Sequence, residues 1–204
     1  HRNRSTKPRL PRPGSLVHRL SILSISTGSS DLAALGFHNS LKQKGIFTMP
    51  ERAFQDDYPD EVAHCYGCGR LNKAGYQLKS YWDGDETVAR FTPEPYHTAG
   101  PGIVYGGLIA SLIDCHGTGT ASAAAYRAAG RERGTEPLLR FVTASLHVDF
   151  LRPTPLGPEL EIRGKILEVK QKKVVVEETL SVEGKVCAKG KVVAVLIPEG
   201  LKPR

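Results

Sequence analysis

Only one segment of this chain reads as a long helix, and strand-like runs flank it on both sides. Gly100–Tyr126 reads GPGIVYGGLIASLIDCHGTGTASAAAY. A Gly-Pro turn opens it, Leu108, Ile109, Leu112 and Ile113 follow, and an Ala-rich run completes it. This predicts an apolar helix over roughly Tyr105 to Ala129. Upstream, Tyr76–Asp83 and Glu86–Thr92 flank Gly84-Asp85 as a hairpin, and Pro93–Gly102 reads as a proline-rich loop. Downstream, Leu138–Leu151, Glu159–Val169, Lys173–Val182 and Lys185–Ile197 read as strands, with short turns that predict an antiparallel meander. A single helix cannot cover such a sheet unless the sheet curls around it. The fold class is therefore α+β, a long central helix wrapped by a curved antiparallel sheet of about six strands.

Charge narrows the partners. The formal balance is +7, which alone suggests an anionic partner. Yet residues 1–48 hold Arg2, Arg4, Lys7, Arg9, Arg12, Arg19, Lys42 and Lys44 against Asp31 alone, so the remainder is neutral. No nucleic-acid partner is expected for the folded part. No run approaches the roughly 18 apolar residues of a membrane span, so no membrane partner is expected either. Residues 1–48 are Arg- and Ser-rich without a sustained period, a basic low-complexity leader predicted to be disordered or non-native. It reads either as an organelle transit peptide, which places the protein in mitochondria, or as sequence upstream of a start at Met49, the only methionine. The four cysteines do not form a disulfide framework, which favours a reducing, cytoplasmic setting.

Residues 49–75 form an N-terminal arm, and 76–198 the main domain. The arm ends in HCYGCGRLNKAGY, His64 to Tyr76, with a CxxC at Cys65 and Cys68. Zinc usually takes four ligands, and no second CxxC follows. His97, Cys115 and His116 are distant in sequence. The stretch reads as a structural turn whose glycines adopt positive φ, and no metal or cofactor is expected.

The central helix carries a single carboxylate, Asp114, among apolar neighbours. Such a group is costly when ionised and unpartnered, which marks it as a candidate for chemistry. Gly106 and Gly107 fall at the helix start, where free N–H groups and the positive dipole end can meet an oxyanion. Asp114-Cys115-His116 is not a triad, because adjacent helical residues do not face one another. Cys115 reads as core and His116 as a packed histidine. In the next strand Val142, Ala144, Leu146, Val148 and Phe150 alternate with Thr143, Ser145, His147 and Asp149, predicting one buried and one polar face.

From about His64 to Ile197 the chain resembles the hotdog-fold acyl-CoA thioesterases of the PaaI type. The resemblance rests on HCYGCG–LN–G (His64 to Gly75), GIVYGGLIASLID (Gly102 to Asp114) and TASLHVDFLRPTPLG (Thr143 to Gly157), in order. It implies a hotdog fold assembled as a homodimer or a dimer of dimers (a homotetramer), with active sites between subunits. It also implies an acyl-CoA substrate, Asp114 as general base or nucleophile, a Gly106 N–H on the thioester carbonyl, and Thr143 positioning water or the carboxylate. Tyr105 and Gly107 fall at substrate-binding positions of the same motif, Arg152 at a contact for CoA phosphates, and His97 or Thr98 in the loop before the helix. Tyr105 replaces the motif histidine and cannot act as an imidazole near neutral pH. The alternative function on these residues is a non-catalytic acyl-CoA-binding hotdog protein, which the lost histidine supports. A hydratase lacks its Asp…His pair, and a zinc module rests on the CxxC alone.

Overall fold

A computed structural model of the chain describes residues 52–198. The leader and the Met49 start lie outside the described residues. Two 3-10 turns, Phe54–Asp57 and Asp60–Val62, begin the described chain. The hairpin follows as β1 (Ser80–Asp83) and β2 (Glu86–Phe91). The proline-rich stretch, expected as a plain loop, holds a small two-stranded ladder, β3 (Thr98–Gly100) and β4 (Ile103–Val104). Then come the helix α1 (Gly106–Ala128) and the meander β5 (Phe141–Phe150), β6 (Leu160–Lys170), β7 (Lys173–Val182) and β8 (Lys185–Leu196). The main sheet has six antiparallel strands in the order β1-β2-β6-β7-β8-β5.

Every strand of this sheet touches α1. The small helix residues permit the close approach that the sequence suggests. A Cβ on Gly117 would lie 2.6 Å from Val192, and one on Gly190 would lie 2.4 Å from Ile113. Leu108, Leu112 and Ile113 are fully enclosed, so truncating any of them to Ala costs about 2–5 kcal/mol. The helix ends at Gly130, whose φ of 62° permits a Schellman closure. Arg131 N–H donates to the Tyr126 carbonyl at 2.9 Å and Gly130 N–H to Arg127 at 3.1 Å.

The side of α1 away from the sheet is covered by the arm. Gln55 is buried, accepts from Ser80 N–H at 2.8 Å and donates to Ser80 Oγ at 3.1 Å. Asp57 pairs with Arg52 at 2.6 Å and with Arg133 at 2.7 Å, tying the arm to the loop beyond the helix. In the CxxC loop the expectation of positive φ fails. Gly67, Gly69 and Gly75 are absent from the positive-φ glycines. They are glycines because the space is taken: a Cβ on Gly67 would fall 2.2 Å from the Cys115 sulfur.

The largest departure lies in β5. The strand occupies an edge of the sheet, and its ladder with β8 slips between Thr143 and Ser145, leaving Ala144 unpaired as a bulge. Thr143 pairs with Ala194 and Leu146 with Val192, both buried helix-side positions of β8, so Thr143 and Leu146 share the inner face. Val142 turns outward. The strict alternation and its fully buried apolar face are thus corrected. Val142, Leu146 and Phe150 remain exposed because no further strand follows.

Candidate active site

Asp114 is half-buried in the first half of α1, and its Oδ1 accepts a hydrogen bond from the Thr143 hydroxyl. Both line a cavity of about 300 Å³. Its walls come from three places: the arm through Phe54, Tyr58, Cys65 and Cys68, the helix through Asp114, Cys115, Thr118 and Ser122, and the approach to β5 through Leu139–Thr143. Thr118 and Ser122 spend their hydroxyls on carbonyls, those of Asp114 at 3.0 Å and Leu139 at 2.6 Å. Of the two carboxylates on the wall, Asp57 is paired with Arg52 and Arg133, whereas Asp114 is held by the Thr143 hydroxyl.

The helix start presents the other half of the chemistry. Tyr105 is the N-cap, and its carbonyl receives Leu108 N–H at 3.1 Å and Ile109 N–H at 3.3 Å. The N–H groups of Gly106 and Gly107 precede the first intrahelical bond and point out of the helix end. The Tyr105 ring folds across Gly107, where a Cβ would lie 2.4 Å from it, and Phe150 sits 3.5 Å from the same position on Gly106. Eight residues separate Gly106 from Asp114, which at helical rise is about 12 Å. In one chain the carboxylate and this donor cannot address the same carbonyl group.

The other sequence candidates scatter. His97 accepts Tyr105 N–H through its backbone carbonyl at 2.9 Å and Glu94 N–H through Nδ1 at 2.9 Å. Its ring lies with Tyr66, Tyr76, Phe91 and Tyr96 around a second cavity, apart from Asp114. Arg152 is exposed just beyond β5. His147 points outward and contacts Asp149 at 3.1 Å. His116 packs on the sheet side, with Nδ1 2.9 Å from Ser80 Oγ and Nε2 3.1 Å from Thr87 Oγ1. Burial pushes its pKa down to about 3, so it stays neutral.

Two features escape a reading of the sequence alone. Glu178 is enclosed on the inner face of β7, and neither carboxyl oxygen has a hydrogen-bond partner. Burial first, and the Asp114 charge second, raise its pKa well above the ordinary carboxylate value. A signal exists: Val174, Val176, Leu180 and Val182 share its alternation, so Glu178 breaks an apolar face. The second feature is Cys115, set apart from the CxxC by sequence distance yet 3.7 Å, sulfur to sulfur, from Cys65. Sequence spacing gives no sign of that contact.

Comparison with known proteins bears on this arrangement. Residues 101–189 match the family model described as the thioesterase superfamily. A thioesterase superfamily protein of Shewanella loihica PV-4, solved as a crystal structure, is 54% identical, and the alignment covers 69% of this chain and all of that one at a TM-score of 0.53. The chain belongs to the thioesterase superfamily. The Escherichia coli PaaI protein, from the phenylacetic acid degradation operon, shares the fold at 18% identity, with 60% of this chain and 81% of that one covered and a TM-score of 0.50. The acyl-coenzyme A thioesterase THEM4 of Xenopus laevis is 34% identical over 87 residues, 43% of this chain. The chain spans a third of the length of that curated relative, 33%. Residues 101–189, matched by the family model, contain the helix entry together with Asp114 and Thr143.

Proposed function

We propose that this superfamily member hydrolyses acyl-CoA thioesters to the free acid and CoA, with Asp114 as the catalytic carboxylate. The observation that carries the reading is the Thr143–Asp114 hydrogen bond at the wall of a cavity of about 300 Å³. A cavity of that size accepts a medium-length or aromatic acyl group. Asp114 takes a proton from a water that attacks the thioester carbon. The backbone N–H of Gly106 holds the carbonyl oxygen as it becomes an oxyanion. Collapse of the tetrahedral intermediate breaks the C–S bond, and the departing thiolate leaves as CoA once protonated.

The spacing of about 12 Å along α1 supports a donor and a carboxylate that come from different copies. We therefore place the site between the two chains of a homodimer. The exposed inner and outer apolar residues of β5, Val142 at 45%, Leu146 at 38% and Phe150 at 56%, mark the surface that pairs. Phe150 lies against Gly106, so this surface adjoins the donor. Arg152, exposed at the end of the same strand, is positioned for CoA phosphates. The four free thiols fit a reducing, cytoplasmic setting. Among the described residues no helix is long and apolar enough to cross a membrane.

The test is CoA release from short, medium, long and aromatic acyl-CoAs. Turnover peaking on medium or aromatic groups is the expected result. Saturable CoA binding with no release on any substrate would instead support the acyl-CoA-binding alternative, consistent with Tyr105 at the motif-histidine position.

A further inference from the structure

We propose that Cys65, Cys68 and Cys115 form a zinc site that clasps the N-terminal arm to the central helix, with the metal's fourth position open to the cavity. The three sulfurs lie within 4.8 Å of one another, the only such His/Cys/Asp/Glu cluster among the described residues. Two thiolates on a tetrahedral zinc, with Zn–S near 2.3 Å, sit about 3.8 Å apart. Cys65 and Cys115 are at 3.7 Å, a zinc-like separation and far beyond the ~2.0 Å of a disulfide.

The backbone N–H groups of Gly67 and Cys68 face the Cys65 sulfur. Gly67 lacks the Cβ that would displace the Cys115 sulfur by contact at 2.2 Å. Two ligands are therefore supplied by a loop shaped around the third, which stands on the rigid middle of α1. Cys68 and Cys115 are buried while Cys65 is exposed, which leaves an entry path for the ion.

Three thiolates select a thiophilic ion. Three protein ligands plus one open position is the coordination pattern of zinc sites that keep a bound water. All three cysteines line the cavity that Asp114 and Thr143 line, so the open position faces it. His64, beside Cys65 in sequence, is exposed and outside the cluster. The fourth ligand is therefore water. The assignment is independent of the thioesterase reading, since a clasp between arm and helix requires no turnover.

The experiment uses the full chain, purified under reducing conditions and reconstituted with zinc chloride, with metal content measured by mass spectrometry after desalting. The expected result is about one zinc per chain, with zinc shielding the exposed Cys65 from alkylation while the buried Cys187, in β8, reacts only on unfolding. Cobalt substitution is expected to give a thiolate charge-transfer band. Cys65→Ser, Cys68→Ser and Cys115→Ser each weaken zinc binding at least about 10-fold, and Cys187→Ser leaves it unchanged. The alkylation pattern of the unmodified chain decides the matter even where a serine variant does not fold. Absence of stoichiometric zinc after reconstitution, or alkylation of Cys65 at the same rate with and without zinc, overturns the proposal.

Discussion

Thr143 reaches Asp114 because Ala144 is squeezed out of the ladder between β5 and β8, which places Thr143 on the same face as Leu146 despite the odd spacing. Bulges re-aim side chains beside functional sites, and here the re-aimed side chain is the one hydrogen-bond partner of the Asp114 carboxylate that lies on the sheet. A hydrogen bond to a charged group is worth about 1.5–3 kcal/mol. Thr143→Val, which keeps the shape and removes the hydroxyl, is therefore expected to lower kcat by about 10- to 100-fold with little change in Tm. Steady-state kinetics beside a thermal melt checks this. An unchanged kcat would remove Thr143 from the site.

The separation between Gly106 and Asp114 gives a complementation test. Gly106→Pro deletes the N–H donor at a position where helices tolerate proline, and Tyr105 before it is already extended at ψ 127°. Gly106→Pro and Asp114→Asn are each expected to be inactive alone. Mixed and reassociated as a two-fold dimer, they recover roughly a quarter of the activity, because half the dimers are mixed and each mixed dimer has one intact site. No recovery, with mixed dimers confirmed by mass spectrometry, places both groups in one chain.

Glu178 makes the fold sensitive to pH. Its neighbours on β6 and β8 are Gly164 and Gly190, and the groups facing it from α1 are Asp114 and, beyond Gly164, the neutral His116. Its pKa in the fold lies well above the value of 4.5 for an unperturbed glutamate. The folded state therefore binds the proton more tightly than the unfolded state. The associated stability is present in full below pH 4.5 and declines as pH rises through the folded pKa. Glu178→Gln is expected to raise Tm at pH 8 relative to the unmodified chain, with the gap closing toward pH 4.5. Equal Tm–pH slopes in the two proteins would show that Glu178 does not titrate in this range.

The edge position of β5 predicts the assembly. An edge strand with exposed Val142, Leu146 and Phe150 invites pairing. Leu146→Lys is expected to shift the protein from dimer to monomer in light scattering and to abolish turnover with it. A dimer that persists with full activity would move the interface elsewhere.

How far the sequence reaches can be judged from these residues. The helix, its glycine start and the meander were legible because an apolar, Ala-rich run too long for a strand and period-two runs separated by turns have few other solutions. Asp114 stood out as a lone carboxylate among Leu112, Ile113 and Cys115. The bulge at Ala144 was not legible, since five apolar residues in perfect alternation argue for a regular strand. Nor was the contact of Cys65 with Cys115, which depends on the arm folding back over the helix through Gln55 and Asp57. His97 was drawn toward the site by its place before the glycines, whereas packing against Tyr76 and Phe91 holds its ring in a different cavity.

The most direct measurement is the rate of CoA release by the full chain and by its Asp114→Asn variant, on the best substrate of the acyl-CoA panel and with Tm recorded for both. A catalytic carboxylate contributes about 10²- to 10⁴-fold, so the variant is expected to lose at least about a hundredfold in kcat while retaining its melt and its CoA binding. A variant that keeps its kcat would contradict the assignment of Asp114 as the catalytic carboxylate.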